Sequence, residues 1–153
     1  VFYAQSGKVI LNTLKTSYVS AYPMIVRGTL RDNIMYGTDN IVSDEEINNE
    51  IEKFKLFENN NFKLDDLVSN KSLSSGQMQK IAFIRAILSK PDLLLLDEST
   101  SNLDSKSKLL VYRILESLNI TIVNSTHSAD ELITYDKEIR FTSKNGITKI
   151  NEI

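Results

Sequence analysis

The segment that most limits what this chain can fold into is Leu73-Ser74-Ser75-Gly76-Gln77, followed about twenty residues later by Leu93-Leu94-Leu95-Leu96-Asp97-Glu98. A serine- and glycine-rich turn that opens a helix offers free backbone N–H groups to an anion, and the helix dipole favours negative charge there. The leucine run is short enough for a strand, is apolar on both faces, and ends in two consecutive carboxylates. In α/β sheets ligands bind at the carboxyl ends of the strands, so Asp97 and Glu98 are expected to emerge where chemistry occurs. One acid suits Mg²⁺ held through water, and its neighbour suits an attacking water. The combination points to nucleotide hydrolysis.

Each motif has a plainer reading when taken alone. Ser74-Ser75-Gly76 is a helix cap, Asp97-Glu98 a solvated strand end, His127 a loop histidine, and Asp104 an N-cap before a helix. Asp44–Glu52 reads as a solvated acidic helix face. Convergence on one ligand geometry is what raises the first three above these readings.

The length of 153 residues suits one domain, and 41% hydrophobic with 25% charged residues is the balance of an ordinary globular chain. A net charge of −2 gives no electrostatic case for nucleic acid as a partner. Without cysteine there is no disulfide framework, and a single histidine excludes a histidine-rich metal cluster. No apolar stretch approaches the roughly 20 residues that span a bilayer, and the first residues show no secretory pattern. A membrane pore serving this chain is therefore expected on another chain or segment.

Val9-Ile10-Leu11 and Ser17-Tyr18-Val19-Ser20 read as strands. From Thr29 to about Phe57 the pattern is helical, with Ser43 and Asp44 as an internal cap and Asn59–Asn61 as a breaker. Phe62–Ser72 reads as a polar loop, Ser75–Ser89 as a helix stopped by Pro91, and Ser105–Leu118 as an amphipathic helix. Ile120–Val123 is predicted to be a buried parallel strand delivering Ser125, Thr126 and His127 to the edge used by Asp97. A short helix at Ser128–Ile133 and a hairpin turned at Lys144-Asn145-Gly146 complete the chain.

The order Leu73–Gln77, Leu93–Glu98, Ser101-Asn102-Leu103-Asp104 and His127 resembles the signature, Walker B, D-loop and switch histidine of an ATP-binding-cassette (ABC) ATPase. Arg27–Ile34 is similar to the segment after the Q-loop in exporter-type cassettes. The resemblance covers nearly the whole chain and implies a P-loop NTPase (RecA-like) α/β fold with a parallel sheet. It further implies a partial cassette over 1–153, truncated at the N-terminus. A helical signature subdomain is implied at 29–89, and the Walker B and histidine part of the core at 90–153.

Carried onto this chain, the resemblance makes Asp97 the Mg²⁺ residue, Glu98 the residue acting on water, and His127 the γ-phosphate contact. Ser74, Ser75, Gly76, Gln77 and Asp104 would serve ATP binding. It implies a second cassette and a transmembrane domain as partners, and a place on the cytoplasmic face of the cell membrane. The implied function is ATP-driven export, with a peptide such as a bacteriocin or lantibiotic as one candidate cargo.

Two departures stand out. No G-x-x-x-x-G-K-[ST] phosphate loop is present; Ser6-Gly7-Lys8 imitates its end, but Val9 stands where a hydroxyl belongs. Ala21 falls where the Q-loop glutamine is expected, and Asn12–Tyr18 is shorter than the family pattern. These favour an alternative, a non-catalytic cassette or the remnant of a disrupted transporter gene. Another alternative is the C-terminal lobe of an SMC-like DNA-repair ATPase, but the a/d heptads it requires are missing.

Overall fold

The computed structural model describes residues 6–8, 10, 12–58, 62–127, 134–144 and 147–152. The expected strand at Val9–Leu11 and helix at Ser128–Ile133 fall mostly or wholly outside these residues. The first strand, β1 (Thr16–Ser20), is followed by a connector and by β2 (Gly28–Thr29), which runs into α1 (Leu30–Met35). Next come α2 (Asp44–Lys53), β3 (Leu67–Val68), α3 (Ser75–Leu88) and β4 (Leu93–Asp97). The chain continues through α4 (Ser105–Glu116), β5 (Thr121–Ser125), β6 (Ile139–Lys144) and β7 (Ile147–Glu152).

The helix starts follow local chemistry. Thr29, Ser43 and Ser74 each form a reciprocal capping box, with Asp32, Glu46 and Gln77 respectively. Each box satisfies two backbone donors that a helix start otherwise leaves bare. The helical expectation for 29–57 needs correction, because α2 stops at Lys53 and Lys55 turns the chain with φ 48°, well before the asparagines. Phe62–Ser72 is not simply a loop, since Leu67–Val68 pairs antiparallel with Gly28–Thr29. The hairpin is present with β6 and β7 antiparallel, while its Asn145-Gly146 turn lies outside the described residues.

The order β1-β4-β5 is parallel throughout, and Ser20, Asp97 and Ser125 stand side by side at the carboxyl ends. A parallel pair requires a crossover, and α4 supplies it between β4 and β5. On one sheet face Val19, Leu94 and Leu96 join Ile81, Ile84, Val111 and Leu115 in a single hydrophobic cluster. Phe54 and Phe83 are fully buried in the same cluster, with ring centroids 6.2 Å apart.

The other face differs from expectation. Tyr18, Leu95 and Val123 form one row across the three strands, and Tyr18 and Val123 are 59% and 55% exposed. The leucine run therefore buries only Leu94 and Leu96 fully, and β5 alternates between exposed and half-buried rather than lying buried. Parallel sheets normally carry cover on both faces. The isolated chain is expected to associate through this row, eluting above monomer size and binding a hydrophobic dye, and Val123→Lys should weaken both effects. A clean monomer with a sharp, reversible unfolding transition would contradict this.

No helix among the described residues is long and apolar enough to cross a membrane.

Candidate functional site

Three parallel strands ending in register place three chain exits at one edge: the connector after Ser20, Glu98 after Asp97, and Thr126-His127 after Ser125. The spacing of chemistry-bearing residues along the sequence becomes proximity in this way. The imidazole Nε2 of His127 lies 2.6 Å from Glu98 Oε1. His127 is 90% exposed, so this pair faces solvent rather than the core.

Glu98 holds a left-handed backbone, φ 48°, with its N–H donating to Ser125 O at 2.9 Å and its carbonyl accepting from the Ser101 N–H at 3.1 Å. The chain thus reverses sharply as β4 ends, which carries Ser99 and Thr100 into the interior. A non-glycine residue in this region costs about 1–2 kcal/mol. Such strain gathers where a side chain must be aimed. Glu98→Gly is therefore expected to stabilise the fold, by about 0.5–1 kcal/mol once the chain entropy of glycine is subtracted. Denaturant unfolding would show this, and a destabilised variant would contradict it.

Asp97 is exposed and accepts a hydrogen bond from the Tyr18 hydroxyl at Oδ2, 3.1 Å. Partial burial, and then the carboxylate beside it, push the Tyr18 phenol above its ordinary range. Among the described residues there is no cluster of three or more acidic or histidine side chains able to hold a metal ion. Asp97 therefore offers a single carboxylate, a donor set that fits Mg²⁺ only when phosphate oxygens and water complete the shell.

At the start of α3, Leu73 is buried and anchors the turn. Ser74 accepts from the Gln77 N–H at 3.2 Å, and Gln77 Oε1 accepts from the Ser74 N–H at 2.8 Å. Each side-chain oxygen thus accepts from the other residue's backbone N–H, while the Ser74 O–H and the Gln77 NH₂ remain donors. The Met78 N–H reaches Ser74 O, so the N–H groups of Ser75 and Gly76 are the ones left without an intrahelical partner. A Cβ at Gly76 would meet Asn102 O at 3.7 Å and Leu103 Cδ2 at 3.9 Å, ordinary contacts that set the α3 start against the turn after β4.

Asp104 caps α4, with Oδ1 accepting from the Ser107 N–H and Oδ2 from the Ser107 hydroxyl, both at 2.9 Å. These bonds, the backbone one foremost, hold its carboxyl below the usual carboxylate range. Among the described residues no hydrogen bond or ion pair joins the α3 start to Asp97, Glu98 or His127, so the candidates form two groups. Ser6–Lys8 is an exposed bend with Gly7 at φ 93°, and β1 is the first regular element described. A phosphate loop would lead into a helix.

Sequence reasoning missed Asn102 as a structural contact and Gln79 as a buried polar residue. Asn102 Nδ2 donates to Ala21 O at 2.6 Å, and fully buried Gln79 donates through Nε2 to Ser20 O at 3.0 Å. Gln79 lies on the apolar side of its helix, and that placement was the signal available.

The family model described as "ABC transporter" matches residues 7–101, more than half of the chain. The chain belongs to the ABC transporter family.

Its relatives include the sublancin-168-processing and transport ATP-binding protein SunT of the SPbeta prophage in Bacillus subtilis. That protein is 33% identical over 85% of this chain and 19% of its own length. A putative export ATP-binding/permease protein of Rickettsia conorii is 38% identical over 90% of this chain and 26% of its own length. A multidrug resistance ABC transporter ATP-binding and permease protein of Lactococcus lactis is 34% identical over 89% and 25%. The chain thus spans about a fifth to a quarter of each of these relatives.

Among solved structures, a bacterial Atm1-family ABC exporter with ATP bound superposes with a TM-score of 0.71. It covers 80% of this chain and 23% of that one, at 22% identity. The fold is that of part of an ABC exporter's nucleotide-binding domain, a parallel sheet with helices of the P-loop NTPase type.

Proposed function

We propose that this chain is part of the ATP-binding component of an ABC exporter, working in a pair of cassettes at the cytoplasmic face of a membrane beside a transmembrane domain. One observation carries the reading: the in-register strand ends bring His127 within 2.6 Å of Glu98, next to Asp97. That grouping suits an attack of water on a terminal phosphate, with Glu98 orienting the water and His127 meeting the phosphoryl oxygens.

Asp97 would hold Mg²⁺, which would supply charge neutralisation on the phosphates. Ser74, Ser75, Gly76 and Gln77 at the start of α3 would meet the ATP of the partner cassette, the free N–H groups of Ser75 and Gly76 foremost. Asp104 would act by capping α4 and fixing the turn. Residues 29–89 would form the helical subdomain and 90–153 would belong to the core, with α3 packing on both α1 and β1. The SunT relative, whose name gives sublancin-168 processing and transport, supports a peptide as one candidate cargo.

The test uses the longest natural polypeptide that carries these residues. Glu98→Gln and His127→Ala should each lower phosphate release at least about 100-fold while ATP still binds. Turnover unchanged by either would overturn the roles.

A second reading is a non-catalytic cassette that only completes its partner's site. Ala21, where the Q-loop glutamine is expected, favours it, and in that case the same polypeptide shows no turnover to lose.

A further inference from the structure

The connector between β1 and β2 is gripped almost entirely through its backbone. Gln79 Nε2 donates to Ser20 O at 3.0 Å, and Asn102 Nδ2 to Ala21 O at 2.6 Å. The Arg85 guanidinium donates to Met24 O at 3.1 and 3.2 Å and, through Nε, to Asn33 O at 2.8 Å. Asn33 closes the far end, accepting from the Val26 N–H at 2.8 Å and donating to Val26 O at 2.9 Å. Three of these grips come from the α3 and α1 helices. Among the described residues, the grip from the turn after β4 is that of Asn102.

Asn102 is also the residue whose main-chain oxygen underlies Gly76. One residue thus lies with its carbonyl 3.7 Å from where a side chain at position 76 would begin, and holds the connector with its amide. The side chain at 21 cannot do this work, because a methyl group neither donates nor accepts and only the backbone of Ala21 can be held.

We propose that Asn102 is a positioning residue that couples the anion-binding start of α3 to the connector 20–26. It takes hold of the Ala21 carbonyl where the connector's own side chain offers nothing. A ligand that orders the α3 start orders the turn beneath Gly76, and through the Asn102 amide it orders the connector. The coupling to a nucleotide rests on the function proposed above; the grip on the connector does not.

Hydrogen exchange on the longest natural polypeptide carrying these residues separates the two. Without ligand, Asn102→Ala and Asn102→Asp both remove the donor, and each should speed exchange of the amides at 21–27 about five-fold. That is the scale of one lost hydrogen bond in a local opening equilibrium. Amides at 81–88, deep in α3, report the fold and should not change. Unchanged exchange at 21–27 in both variants overturns the proposal.

With Mg-ATP and an intact partner cassette, the natural sequence should be protected at both 75–77 and 21–27. Asn102→Ala should be protected at 75–77 alone. Protection at 21–27 that survives Asn102→Ala sinks the coupling. Absent protection at 75–77 in the natural sequence sinks the nucleotide reading, leaving the ligand-free result to judge the grip.

Discussion

Purified by itself, the 153-residue chain will release no phosphate from ATP above background, and Glu98→Gln will leave that background unchanged. The reason is the donor inventory. Removing one preorganised oxyanion donor costs roughly 3–4 kcal/mol of transition-state stabilisation, about a hundred- to a thousandfold in rate. A phosphate loop supplies several backbone donors, a lysine and a metal-binding hydroxyl. None of the 153 residues forms that motif. His127, Glu98 and Asp97 are assembled at the strand ends, yet they face solvent, and among the described residues no phosphate-loop motif stands beside them. Phosphate release measured on the chain and on Glu98→Gln checks this directly; Glu98-dependent turnover would mean that residues outside that motif build the cradle.

Much of the fold was legible because its determinants are local. The capping boxes at Ser43–Glu46 and Ser74–Gln77 follow from a hydroxyl and a carboxylate or amide three residues apart, which the structure uses directly. The leucine run, the helix after Asp104 and the strand at Ile120–Val123 read as one parallel unit, and β4, α4 and β5 form it, with β5 extending to Ser125. What escaped the sequence depends on neighbours. Whether Val123 or Leu95 is covered is decided by what lies above the sheet, and no periodicity within β5 reports that.

The site divides along the same line. Asp97, Glu98 and His127 were placed by strand register, which a sequence can foreshadow. The left-handed turn at Glu98 could not be seen, because glutamate carries no preference for it and the bond to Ser125 O imposes it across strands. The Asn102–Ala21 contact joins residues 81 apart in sequence. Ser74 and Gln77 are grouped with the ligand-binding residues by motif; the hydrogen bonds show each side chain also capping the other's backbone N–H, and leave the N–H groups of Ser75 and Gly76 without an intrahelical partner.

The second large effect concerns that pair. The N–H groups at the start of α3 owe their direction to the local capping box, so they persist without a phosphate loop on the same chain. Mixed with an intact homologous cassette that binds but cannot hydrolyse ATP, this chain should form an ATP-dependent dimer, with the nucleotide held by the partner's loop. Ser75→Glu places a carboxylate where the phosphates would sit. Two unit charges about 4 Å apart repel by about 1–4 kcal/mol between water and a protein surface. A triphosphate carries more than one, so trapping should fall by at least about a hundredfold. The substitution does not threaten the fold, since an acid in the first turn of a helix stabilises it by about 0.3–1 kcal/mol. Gly76→Ala is the companion variant; its methyl group meets only ordinary contacts inside the chain, so weaker trapping would report crowding of the ligand.

The mixed-dimer measurement bears most directly on the central claim that the start of α3 is a working anion site turned towards a partner. Size-exclusion chromatography with radiolabelled ATP and the hydrolysis-dead partner gives the readout. The account predicts an ATP-dependent heterodimer carrying label with the natural sequence, and neither dimer nor label with Ser75→Glu. A heterodimer that forms equally well with Ser75→Glu would contradict it.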